Sequence, residues 1–142
     1  MQLLARSGKR AYQACEKRVA RRVESAHWHA MNVSQLKRFC RDFPRATQTL
    51  YGEPYNFLVY TVSGKKFAYF KTSEPERWRF SVRVTPDRFV ELTDVAGVKP
   101  ARYRGRFGWI TIVDVATFPA GYLKELVRSS YQRAFDGRIH QR

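Results

Sequence analysis

Tyr55-Asn56-Phe57-Leu58-Val59-Tyr60-Thr61-Val62, Ser63-Gly64, Lys65-Lys66-Phe67-Ala68-Tyr69-Phe70-Lys71-Thr72: two runs rich in aromatic and β-branched residues flank a two-residue turn signal. Such side chains suit a pleated, half-buried surface, and a Ser-Gly pair between them reads as a hairpin turn. After a turn at Ser73-Glu74-Pro75, residues Arg77 to Val84 alternate most cleanly of all. Trp78, Phe80, Val82 and Val84 fall on one side, with Arg77, Arg79, Ser81 and Arg83 on the other. The pattern predicts a strand with one core face. The side that repeats arginine must meet solvent or a partner, because unpaired buried charge is too costly.

Helical signals surround these strands. Ser34 or Asn32 can cap a helix through Gln35 to Arg41, with Leu36, Phe39, Cys40 and Phe43 on one face and Pro44 closing it. Thr47 to Tyr51 is β-prone, and Gly52-Glu53-Pro54 punctuates it. Thr85-Pro86-Asp87 has a cap, a proline and an acid in the order that starts a helix, with Phe89, Val90 and Leu92 as its apolar side up to Gly97. Val98 to Gly108 reads as a loop and Trp109 to Val115 as a strand. Pro119 opens a last helix whose buried face is Tyr122, Leu123, Leu126, Val127, Ser130, Tyr131 and Ala134. The expected class is α+β, an antiparallel sheet of about five strands with helices on one face.

A chain of 142 residues, 44% hydrophobic and 15% aromatic, can bury one core. Its unusual quantity is charge: 27 Lys and Arg against 12 Asp and Glu, a formal net of +15. Such a surplus repels itself in the compact state and attracts polyanions. Most of it is arginine, whose planar donor fork matches phosphate and stacks on rings, so the composition points to nucleic acid. Solubility alone is the competing account. A membrane surface fits less well, since no segment joins a long apolar face to a basic one, and no apolar run is long enough to span a bilayer. Cys15 and Cys40 make neither a disulfide framework nor a zinc cluster. A reducing cytoplasm is the default compartment.

Residues 1–30 stand apart. They hold Arg6, Lys9, Arg10, Lys17, Arg18, Arg21 and Arg22 but only Glu16 and Glu24 as acids, with Tyr12, Cys15, Val19, Val23 and Ala26 at helical spacing. A docked helix, a basic arm for nucleic acid and a transit peptide compete here, and the glutamates count against the last. The expected organisation is a basic helical extension over 1–30 and one α+β domain over 31–142.

Three stretches carry a family likeness: Gly97-Val98-Lys99-Pro100-Ala101-Arg102-Tyr103, Gly108-Trp109-Ile110-Thr111-Ile112 and Ser129-Ser130-Tyr131, together with the strand Arg79-Phe80-Ser81-Val82-Arg83. In this order the chain resembles the MmcQ/YjbR family over about residues 32–136. The resemblance implies a compact fold similar to frataxin-like (CyaY-like) proteins and DNA binding through a double-wing surface. One departure is that family members often carry a basic residue just before the tryptophan, where this chain has Gly108.

Two surfaces are candidates for that binding. In the stretch from Lys99 to Arg106, Lys99, Arg102, Arg104 and Arg106 interleave with Tyr103 and Phe107, and no acid occurs between Asp94 and Asp114. Arginines there can clamp phosphates while Tyr103 stacks, or Tyr103 packs down on the core and the loop is merely solvated. The second is a row of Arg77, Arg79 and Arg83 on the sheet, joined by Tyr60 or Tyr69, a combination suited to single strands. Catalysis is not expected. His27, His29 and His140 lie in terminal segments, His27 and His29 diverge on a helix, and the acids are scattered. No metal, cofactor or Gly-rich phosphate loop is indicated. The expected protein is a monomer or weak dimer that binds nucleic acid, DNA ahead of RNA, with low sequence specificity. The rival is an adaptor for an acidic protein partner, anchored by Trp28 or Tyr103.

Overall fold

The computed structural model describes residues 30–140. The basic helix expected over 1–30, with His27, Trp28 and His29, lies outside the described residues, as does the join placed near residue 30. Helix α1 spans Val33–Arg41, and of its two possible caps Asn32 serves. Its side-chain oxygen accepts from the Gln35 N–H at 2.8 Å, while Gln35 Oε1 accepts from the Asn32 N–H at 3.0 Å. This reciprocal pair satisfies two amides that a helix start leaves open.

Six strands follow: β1 (Thr47–Tyr51), β2 (Phe57–Val62), β3 (Lys65–Lys71), β4 (Phe80–Arg83), β5 (Val98–Pro100) and β6 (Trp109–Ile112). They form one antiparallel sheet in the order β1-β2-β3-β4-β6-β5. The hairpin turn has φ of 53° at Ser63 and 78° at Gly64, the pair of left-handed positions whose twist matches two flanking strands. Helix α2 (Pro86–Thr93) starts at the Thr85 cap as expected, and helix α3 (Ala120–His140) closes the chain.

The sheet buries one face under the helices. Leu58, Tyr60, Phe67, Phe70, Phe80, Val82, Ile110 and Ile112 meet Leu36, Cys40, Leu92 and the apolar residues of the predicted α3 face in one cluster, with Ser130 buried beside them. Burial pushes the Cys40 thiol far above its ordinary range, consistent with an inert packing residue. The other face carries only a small cluster of Val59, Tyr69, Ala101 and Trp109 with Phe57 against it, and no helix residue joins that cluster.

Four sequence expectations change. The strand read over 77–84 is only four residues long, because Trp78 at φ 67° turns the chain before Phe80. The stretch read as a loop from Val98 begins as β5, whose ladder with β6 pairs Val98 with Ile112 and Lys99 with Thr111. Strand β6 stops at Ile112, and Val115 lies in a short 3-10 turn capped by Asp114. Val90 is exposed: only Leu92 is buried in α2, which is too short to turn a wider face inward.

Ser130 joins α3 to the sheet at the point where two strands part. The β3–β4 ladder ends at Ala68 and Val82. Beyond it the Ser130 hydroxyl donates to the Phe67 carbonyl at 2.6 Å and accepts from the Arg83 N–H at 3.3 Å. One buried side chain thus stands in for a rung of the ladder. Ser130→Ala leaves both backbone groups without that partner, and the expected loss is about 1–3 kcal/mol. Urea unfolding of this variant beside Ser129→Ala checks it; the latter is expected to stay within about 0.5 kcal/mol of the parent.

Candidate nucleic-acid interface

The face that no described helix covers is built from alternate residues of five strands. Across it the register aligns Val59, Tyr69, Ser81, Thr111 and Lys99 in one row from β2 to β5. Beside that row stand Phe57 opposite Lys71, and Arg83 opposite Trp109. Phe57, Tyr69 and Trp109 form a chain of rings, with centroids 5.2 Å and 5.4 Å apart. At its centre the hydroxyls of Ser81 and Thr111 are hydrogen bonded at 2.7 Å.

A cavity of about 560 Å³ opens on this face. Phe57, Tyr69, Ser81 and Thr111 line it together with Tyr55, Lys71, Glu76, Arg79, Lys99, Arg102 and Tyr103. Four cations therefore meet one acid, and that acid is engaged: Glu76 Oε2 lies 3.2 Å from Arg79 Nη1. Lys71 Nζ donates to the Tyr55 carbonyl at 3.1 Å and sits 4.5 Å from the Phe57 ring centre. Burial raises the Tyr69 phenol above its ordinary value, so it remains a neutral donor at neutral pH.

The two surfaces singled out in the sequence are partly one. Lys99 of β5 and Arg102 and Tyr103 of the β5–β6 connection share the cavity with Arg79. Tyr103 is 88% exposed, which removes the alternative that it packs on the core. Arg104 is half-buried and holds its guanidinium carbon 5.9 Å from the Tyr69 ring centre. It reaches far enough to depress the Lys66 ammonium below its ordinary value, second to the effect of burial. Arg106 stands farther out over Phe107, at 4.8 Å.

The arginine row of the strand does not form. Arg83 lies at the other end of the face, donating from Nε to the Phe107 carbonyl at 3.0 Å. Burial and the nearby Arg133 lower its proton affinity. Arg77 turns to the helix side: its guanidinium and the Lys37 ammonium both lie over the Trp78 ring, at 5.2 Å and 3.6 Å. The cause is the left-handed Trp78, which breaks the two-residue period between Arg77 and Arg79. Tyr60 is buried among the helix-facing residues, so of the two tyrosines offered only Tyr69 joins the face. Lys71 and the Ser81–Thr111 pair were missed; their signal was alignment with Tyr69 once the strand register is known.

Among the described residues no group of three or more His, Cys, Asp or Glu could hold a metal ion. No described helix is long and apolar enough to cross a membrane.

Fold and face together define a class: an open-faced α+β domain, helices on one side of its sheet and a basic, ring-lined cavity on the other. The chain belongs to the YjbR family, whose model matches residues 41–133, from the end of α1 through all six strands into α3. It is similar to a solved structure of the Deinococcus radiodurans protein DR2400, which has a DUF419 domain. The two are 28% identical, with a TM-score of 0.60 over 72% of this chain and 77% of that one. No curated protein matches the chain.

The bend that delivers the basic connection onto β6 depends on Gly108. Its φ is +87°, and a Cβ there would lie 2.9 Å from the Val84 carbonyl oxygen, which also faces an Arg133 donor. Gly108→Ala is expected to cost more than about 1 kcal/mol, because both backbone conformation and space oppose it. Thermal unfolding checks the value. Gly52→Ala, where a Cβ meets nothing within 4 Å, is the control and is expected to be near neutral.

Proposed function

We propose that this protein binds nucleic acid, DNA ahead of RNA, through the sheet face opposite the described helices, mainly by phosphate contacts and with little base specificity. The observation that carries this is the gathering of Lys71, Arg79, Lys99 and Arg102 around one ring-lined cavity with Glu76 as its single acid. Arg104 and Arg106 extend the same charge along the 3-10 turn that follows. Solvated cations usually spread over a surface to limit repulsion. Here they converge beside exposed Tyr55 and Tyr103, which suits a partner that offers both phosphates and flat rings.

Low specificity follows from the kind of contact. The donors are Lys and Arg side chains on strands and connections, and the described helices pack into the core on the sheet's other face. The double-wing role that the family resemblance implies is consistent with this assignment to sheet and connection. The proposal is of a binding protein and not an enzyme, since the histidines fall in terminal segments and the acids are dispersed. The chain is taken to act as a monomer or weak dimer in the cytoplasm.

Phosphate neutralisation releases counterions, so the logarithm of affinity for a random duplex is expected to fall linearly with the logarithm of salt concentration. Changing Arg102, Arg104 and Arg106 together to Ala is expected to flatten that slope by roughly 0.9 for each duplex phosphate that the variant no longer neutralises. Fluorescence anisotropy across a salt series measures both. Absence of any binding at low salt with micromolar protein refutes the proposal, and an unchanged slope in the triple variant places the contacts elsewhere.

A further inference from the structure

We propose that the cavity on the sheet face opposite the described helices receives one unstacked nucleotide of a single strand, so that single-stranded DNA is the preferred ligand over a duplex. This rests on the nucleic-acid reading above and adds a base-dependent contact to it.

The lining asks for more than a phosphate. A phosphate group alone needs cations and amide donors, whereas here Phe57 and Tyr69 make a ring wall and Tyr103 stands at the cavity 88% exposed. Tyr69 is buried and Phe57 half-buried, so the ring surface open to a ligand is that of Tyr103 and Tyr55. Leaving those two rings in water gains nothing for the fold and supplies a stacking platform. The volume of about 560 Å³ falls within the range of pockets that enclose a small ring-bearing ligand. On its floor only one proton can lie between the Ser81 and Thr111 oxygens, 2.7 Å apart. Tyr69 also hydrogen bonds with Ser81, so the floor is a connected set of three hydroxyls that a ligand edge can meet at Thr111, its half-buried member. Around this floor stand the four cations, placed to take the phosphates on either side of an inserted base.

A duplex keeps its bases stacked inside and can offer one only by flipping it out, at a cost of a few kcal/mol. A single strand offers its bases freely. A strand also fits better than a free nucleotide, because the basic surface continues beyond the cavity. Arg104 lies over Tyr69, and Arg83 and Arg106 adjoin Phe107 at the far end of the same face. A lone nucleotide would leave those cations unused.

The test uses the full chain and four probes: a mixed-sequence single strand of DNA, a strand of equal length made of abasic sites, the matching duplex, and a deoxynucleoside monophosphate. The abasic strand keeps every phosphate and lacks every base. It is expected to bind more weakly than the normal strand by roughly tenfold or more, the effect of losing base–aromatic stacking. The duplex is expected to fall below the single strand at matched salt. Tyr103→Ala is expected to close most of the abasic gap while leaving the salt slope unchanged, with circular dichroism showing the fold intact.

Equal affinity for normal and abasic strands, with steep salt dependence in both, would overturn the pocket and leave phosphate-directed binding standing. A duplex binding as tightly as the single strand overturns the preference. A monophosphate binding as tightly as the strand would make the cavity a site for free nucleotides and overturn the strand assignment. If neither strand nor duplex binds, the underlying nucleic-acid reading falls and this inference with it. The gap itself is read on the unaltered protein, so it stands even if the Tyr103 variant misfolds.

Discussion

Successive residues of a strand point to opposite faces, and in this sheet the described helices cover only one of them. That constraint sorts the chain. Every helix-facing position of β2, β3, β4 and β6 must be apolar, and the opposite positions are free to be anything. Phe80 and Val82 go inward while Ser81 and Arg83 go outward, one residue apart. A slip of one residue would drive arginine into the core, so register is enforced by desolvation as well as by the ladder. Helix α3 completes the arrangement, with Ser130 hydrogen bonded into the parting of β3 and β4 and Tyr131 donating to the Pro44 carbonyl at 2.7 Å. The same helix thus ties the sheet to the segment after α1.

Charge is organised on this frame by the same rule. The domain carries few acids, and among the described residues the ion pairs that form include Arg79 with Glu76 and Arg88 with Glu125. Several other cations rest on aromatic faces: Lys37 on Trp78, Lys71 on Phe57, and Arg104 on Tyr69. Ring contacts attract a cation without neutralising it, so they steady the side chains while leaving the field outside positive. A surface built this way stays attractive to polyanions even though its donors are partly ordered. Membership of the YjbR family fixes the architecture, and the chemistry of the open face is what distinguishes one partner from another.

Much of the fold was legible in sequence because it is written in local terms. The hairpin follows from a Ser-Gly turn between β-prone runs, α1 from a cap and an apolar stripe, and α3 from a buried face in which every expected residue is indeed buried. Composition alone, at a net of +15, also determined the sign of the field that the chain presents. None of this requires knowing which strands are neighbours.

Tertiary structure decided the site. Whether Arg77, Arg79 and Arg83 form a row depended on a single left-handed residue, Trp78, whose conformation no alternation pattern reveals. Pairing of β5 with β6 turned an apparent loop into a sheet edge and carried Lys99, Arg102 and Tyr103 to the cavity that Arg79 also lines. Tyr60 and Tyr69 look alike in sequence, yet they end in the helix-covered core and on the open face, separated by the hairpin's register and the bulge at Tyr60/Thr61. Periodicity and composition are properties of neighbours along the chain, so they determine elements and net charge. Convergence of side chains from five strands is a property of packing, and only the assembled sheet determines it.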